Sequence, residues 1–131
     1  MVHVPYIAIA VAFALIYLPR QIVSLEMKKL EGGYNNHDPR AQQGKLDGLG
    51  RRALGAHHNG FEAFAPFAVG VLAAIQRGVR IETVAYLSIA FVVVRTGYTI
   101  AYLADKTSLR SGLWGLGVAA IGTLMVFSIT V

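Results

Sequence analysis

Apolar residues gather into four long runs separated by polar stretches. The runs cover about residues 4–25, 53–75, 82–104 and 109–131. Each approaches the ~20 residues that an α-helix needs to cross ~30 Å of hydrocarbon. Strict alternation of apolar and polar positions is missing, which argues against a barrel. The pattern predicts an all-α integral membrane protein, a four-helix bundle. Pro19 and Arg20 interrupt the first apolar run, which is still long enough to be read as one helix. Between the first two runs lies a loop of about residues 26–52, with GG, NN, DPR and DG turn signals. The later connections, QRGVR and DKTS, are short. The run starting at Val4 is expected to be a membrane helix and not a cleaved leader. No Lys or Arg precedes it and no clear small-x-small site follows.

Polar residues inside these runs fall on stripes. Arg95, Tyr98 and Tyr102 are spaced three and four apart, and Arg52, Asn59 and Glu62 seven and three apart. At ~100° per residue each trio shares a helical face. Ionisable groups at membrane depth are costly and commonly mark an interior site. Asn59 offers donors and an acceptor, and Glu62 a carboxylate. Pro66 continues their face and is a candidate kink. Tyr98 and Tyr102 each present an apolar ring and a hydroxyl that needs a partner when buried. Arg95 is expected to be mainly structural, paired with Glu62. A purely structural alternative remains for the second run: a buried Arg–Glu pair with a helix-crossing Asn. Tyr86 falls on the opposite face.

Arg110 opens the last helix beside Ser111. A guanidinium next to free amide donors at a helix start favours an anion; the competing reading is a topogenic charge snorkelling to the interface. Trp114, one turn on, is either an interfacial anchor like Tyr6 or part of a site lining. The glycines of the last two runs permit close helix packing.

Charge orients the chain. Lys28, Lys29, Arg40, Lys45, Arg51, Arg52, Lys106 and Arg110 lie toward one side, against Arg77 and Arg80 on the other. By the positive-inside rule the long loop is expected to be cytoplasmic. At 131 residues and 55% apolar there is room for one domain, residues 1–131. The net charge of +5 is spent at helix ends and loops, facing membrane lipids, so nucleic acid is not an expected partner. Absence of cysteine excludes disulfides and thiol catalysis by the protein itself. His57 and His58 are adjacent, diverge on a helix and make a poor metal pair. No triad spacing, phosphate loop or dinucleotide fingerprint is present.

Two motifs then stand out in order. GAHHNGFE, residues 55–62, resembles the RAxxNxxE pattern of the membrane-associated proteins in eicosanoid and glutathione metabolism, the MAPEG family. RTGYTIAY, residues 95–102, resembles that family's RxxYxxxY pattern, and Arg110-Ser111 follows at similar spacing. AYLADKTSLRS is similar to the prostaglandin synthase branch, whereas the loop phrase YNNHDPRAQ resembles bacterial members.

The resemblance implies a homotrimer with a glutathione site between protomers, open to the cytoplasmic side, in a bacterial inner membrane. It implies that Asn59, Glu62, Tyr98 and Tyr102 bind the tripeptide, with Arg52 and a neighbour's Lys28 or Lys29 assisting. Arg110 would stabilise the thiolate with Ser111 beside it. The chain departs from the pattern at Gly55, where the family has arginine, and at Ala63, where one branch has tyrosine. Eicosanoids are therefore not the expected substrates. The implied activity is a glutathione-dependent transferase or peroxidase acting on a lipophilic small molecule. The alternative is a non-catalytic membrane subunit of the same fold that binds lipid or a protein partner. A small transporter is disfavoured by the lack of inverted repeats and broken helices.

Overall fold

The computed structural model describes residues Met1–Val131. It is all-helical and has five helices, not four: α1 (Val4–Lys28), α2 (Pro39–Gln43), α3 (Gly48–Gln76), α4 (Ile81–Leu103) and α5 (Thr107–Thr130). The four long helices pack side by side, α1 chiefly on α3 and α4 chiefly on α5. Three of them, α1, α4 and α5, are long and apolar enough to cross a membrane. The fourth, α3, is long enough at 29 residues, but its first half carries Arg51, Arg52, His57, His58, Asn59 and Glu62.

Pro19 lies within α1, as the run over residues 4–25 predicts. It is buried inside a continuous helix. Its missing N–H leaves the Leu15 carbonyl without its usual partner. One residue on, the Ile16 carbonyl accepts from His57 Nδ1 of α3 at 2.7 Å. The turn disturbed by proline is thereby tied to the neighbouring helix.

The extra helix, α2, arises from the DPR sequence. Asp38 accepts from the Ala41 N–H at 3.2 Å and Pro39 sits at the first helical position, the favoured arrangement for starting a helix. Gln42 anchors it. Its Nε2 donates to the Gly33 carbonyl at 2.6 Å, and its Oε1 accepts from the Asn35 N–H at 2.9 Å. Gly32 and Gly33 take φ values of +80° and +71°, which L-residues with a Cβ seldom adopt.

The helix ends nearest the site are closed tightly. After α4, Asp105 adopts φ 58°. The Lys106 N–H reaches the Ala101 carbonyl at 2.8 Å, and the Asp105 N–H the Tyr102 carbonyl at 3.2 Å. This is a Schellman closure, and it starts α5 one short turn beyond Tyr102. At the opposite end of the bundle Arg77 donates to the carbonyls of Ser128 at 3.2 Å and Val131 at 2.6 Å. It caps α5, a role that its reading as a topogenic charge did not include.

The main core joins Ala8, Ala12, Phe67, Val71, Ala74, Val84, Phe91, Ile121 and Leu124. Phe67 and Phe91 stack with ring centroids 3.8 Å apart. A smaller cluster of Val23, Met27, Leu46 and Ala53 fastens the loop end. Large apolar side chains such as Ile7, Leu18, Val69, Val93 and Ile129 point outward. That surface suits a lipid solvent and would be a liability in water. Removing the centre of the core should be costly. Phe67→Ala is expected to destabilise the folded protein by about 3–5 kcal/mol, read as a drop in detergent unfolding midpoint beside Val69→Ala, whose exposed side chain should matter little.

Candidate functional site

The polar stripes of α3 and α4 meet the start of α5 at the loop end of the bundle. Tyr98 is buried on α4 and Tyr102, one turn later, is half-buried. Their rings meet edge to face at 5.7 Å. Arg95 lies over the Tyr98 ring at 4.0 Å, and Arg110 over the Tyr102 ring at 4.6 Å. Each guanidinium therefore rests on an aromatic face, a favourable electrostatic arrangement. The Schellman turn after α4 sets Arg110 above Tyr102.

Asn59, Tyr98, Tyr102, Arg110, Ser111 and Trp114 line one cavity of about 280 Å³. A second cavity of about 300 Å³ adjoins it along α3 and α5. Asn59 and Trp114 border both, and Glu62, Arg95, Val118 and Met125 are among the other walls of the second. A polar chamber near the loop end thus continues into a more apolar groove deeper in the bundle.

The two arginines of this region form no ion pair. The ion pairs of the chain are Lys29–Glu26 and Arg80–Glu82, so neither Arg110 nor Arg95 has a carboxylate within 4.0 Å. The expected Arg95–Glu62 pair is not formed. Arg95 instead reaches the Asn59 carbonyl at 3.4 Å. Glu62, which is exposed, accepts from Asn59 Nδ2 at 2.9 Å. The other end of that amide, Asn59 Oδ1, is buried without a partner. A buried acceptor without a partner is costly.

The remaining sequence candidates lie elsewhere. Arg52 donates from Nε to the Leu103 carbonyl at 3.2 Å, which closes the end of α4, and it lines neither cavity. Lys28 is exposed at the end of α1, also away from both. The apolar lining was not anticipated beyond Trp114. Its signal was present as Trp114, Val118, Ile121 and Met125, a three-and-four spacing that continues the Arg110 face.

Gly55 is tied to this geometry. A Cβ built there would fall on the Tyr102 hydroxyl and 2.8 Å from its Cζ. The Tyr102 phenol occupies the place where any larger residue at 55 would begin.

Fold and chambers together define an integral membrane protein with a polar, cationic pocket opening into an apolar groove. The chain belongs to the MAPEG family: that family's model matches residues 4–130, and the family includes glutathione-dependent membrane enzymes. No match was found among curated proteins or among solved structures.

Proposed function

We propose that the protein is a membrane-embedded glutathione-dependent transferase or peroxidase acting on lipophilic electrophiles. The observation that carries this reading is Arg110. It lies on a 280 Å³ polar chamber without a carboxylate partner, and that chamber runs into an apolar groove. The residues fit the tripeptide in kind. Glu62 offers a carboxylate to an ammonium, Asn59 Oδ1 an unmet acceptor to an amide N–H, and Arg110 a cation to an anionic sulfur.

Glutathione, when bound, supplies the nucleophilic sulfur. Arg110 holds the negative charge of the thiolate and so lowers the thiol pKa, while the released proton passes to water through the open chamber. Ser111 stands beside it as a hydroxyl donor. Tyr98 and Tyr102 wall the chamber and orient the peptide. The groove past Trp114, Val118 and Met125 receives an apolar electrophile from the bilayer. In the transferase reaction a carbon–sulfur bond forms at the electrophile as its leaving group departs. Three protomers complete the site in this reading, with the long loop cytoplasmic. A neighbour covers the exposed Glu62, and Lys28 or Lys29 reaches in from the next α1.

The test uses the single tryptophan, which borders both chambers. Saturable change in Trp114 fluorescence on titrating glutathione, matched by calorimetry on the detergent-purified protein, is the expected result. No binding at millimolar glutathione by a folded protein would move the reading to the alternative, a non-catalytic membrane subunit of the same fold that binds lipid or a protein partner.

A further inference from the structure

We propose a second ligand site on the chain: a cradle for the phosphate of an anionic phospholipid headgroup, built by Arg20, Arg40, His57 and His58. These four, with Gln43 and Phe61, line a cavity of about 190 Å³ between α1, α2 and α3. It shares no lining residue with the chambers at Asn59 and Arg110.

The cradle is cationic and unpaired. Neither Arg20 nor Arg40 takes part in an ion pair, and no carboxylate lines the cavity. Two guanidinium groups gathered without an acid repel one another, and an anion between them relieves this. Arg20 is held in position. Its Nη1 donates to Ser24 Oγ at 2.7 Å and its Nη2 to Tyr34 Oη at 3.3 Å. Further N–H donors of its planar fork remain, suited to phosphate oxygens. His57 is fixed as well: Nδ1 donates to the Ile16 carbonyl at 2.7 Å, so Nε2 of the neutral ring is an acceptor, suited to a headgroup hydroxyl, and the phosphate oxygens fall to the two arginines.

Depth selects a lipid over a soluble anion. Arg20 lies eight residues before the end of α1 at Lys28, about 12 Å along a helix at 1.5 Å per residue. Its guanidinium extends one turn outward to Ser24, toward the headgroup level. Immediately inward the surface turns aromatic. Tyr17 and Phe61 meet at 5.9 Å, and Tyr17 and Phe13 at 5.2 Å. All three rings are exposed. A charged cradle capping an exposed aromatic band matches a phosphate with an acyl chain below it.

The experiment is native mass spectrometry of the full chain in neutral detergent, titrated with phosphatidylglycerol or with phosphatidylcholine of the same acyl chains. The expected result is at least a tenfold preference for phosphatidylglycerol. Arg20→Gln with Arg40→Gln should remove it, and the exposed Arg40→Gln alone should weaken it at least threefold. Lys106→Gln, a loop-side cation outside the cavity, should leave it intact. Equal retention of the two lipids, or a preference that survives the double replacement, overturns the proposal. Displacement of the lipid by millimolar inorganic phosphate would make the cradle a soluble-anion site. Displacement by glutathione would assign it to the thiol chamber. Either result also overturns it.

Discussion

Arg110→Ala is expected to lower conjugation of glutathione to a chromogenic aryl halide by about 10²–10³-fold, the scale of removing one preorganised donor from a developing anion. The fold should survive. Arg110 bonds no carboxylate, and its guanidinium rests on the Tyr102 ring at 4.6 Å. Such a contact at a half-exposed position contributes only about 0.5–1 kcal/mol. The two effects separate in one preparation: an unfolding midpoint close to wild type, and turnover nearly gone. A pH profile adds a readout that a packing role would not move. With the cation present the thiol ionises below its ordinary pKa of ~8.5, so the rate levels off at lower pH. Without it the rate keeps climbing toward that value. Arg110→Lys keeps the charge but loses the planar stacking, and should fall between. Turnover unchanged in Arg110→Ala would remove arginine from the chemistry and leave its position at the start of α5 as a topological charge.

Much of this arrangement was legible in the residues. Three-and-four spacing put Tyr98, Tyr102 and Arg95 on one face, and the chain does bring Asn59, Tyr98, Tyr102, Arg110 and Ser111 to one chamber. Periodicity works here because a helix fixes which side chains share a face, whatever it packs against. It fails where the answer depends on a second element. Glu62 looked like the natural partner of Arg95, since both are charged and inward by pattern. Pairing depends on how two helices are rotated and staggered, and that offset hands Glu62 to Asn59 three residues before it.

The loop shows the same limit in local form. Asp-Pro-Arg reads as a turn, but Asp before Pro is equally a helix cap with its first residue. Gln42 decides the matter by bonding Gly33 and Asn35 from inside the loop, a contact that spacing alone does not reveal. Pro19 is a helix breaker by the local rule, yet the length of the apolar run predicts one helix through it. α1 runs through it unbroken, and His57 of α3 bonds the Ile16 carbonyl, next to the one the proline leaves free.

Gly55 is where a departure in the sequence and a contact in the structure meet. Position 55 carries arginine in the family pattern, and its loss looks like a missing cation. The structure adds that the vacated space is filled: the Tyr102 phenol lies against α3 where a Cβ would stand. Its ring then supports Arg110 and meets the edge of Tyr98. Gly55→Ala is therefore expected to disturb the site more than the fold. The clashing atoms are the far end of a side chain, so the helices need not part. The ring tilts away, at an overpacking cost of about 1–2 kcal/mol, and Arg110 loses the surface it rests on. The expected outcome is a rise of about tenfold or more in the glutathione KM with a modest fall in unfolding midpoint. Tyr102→Leu removes the obstructing phenol, so the double replacement Gly55→Ala with Tyr102→Leu should regain the midpoint of Tyr102→Leu alone while staying poorly active. This non-additivity is the signature of direct contact. If instead the two replacements add independently in stability, the phenol does not lie against Gly55, and the loss of arginine at that position has no structural substitute in Tyr102.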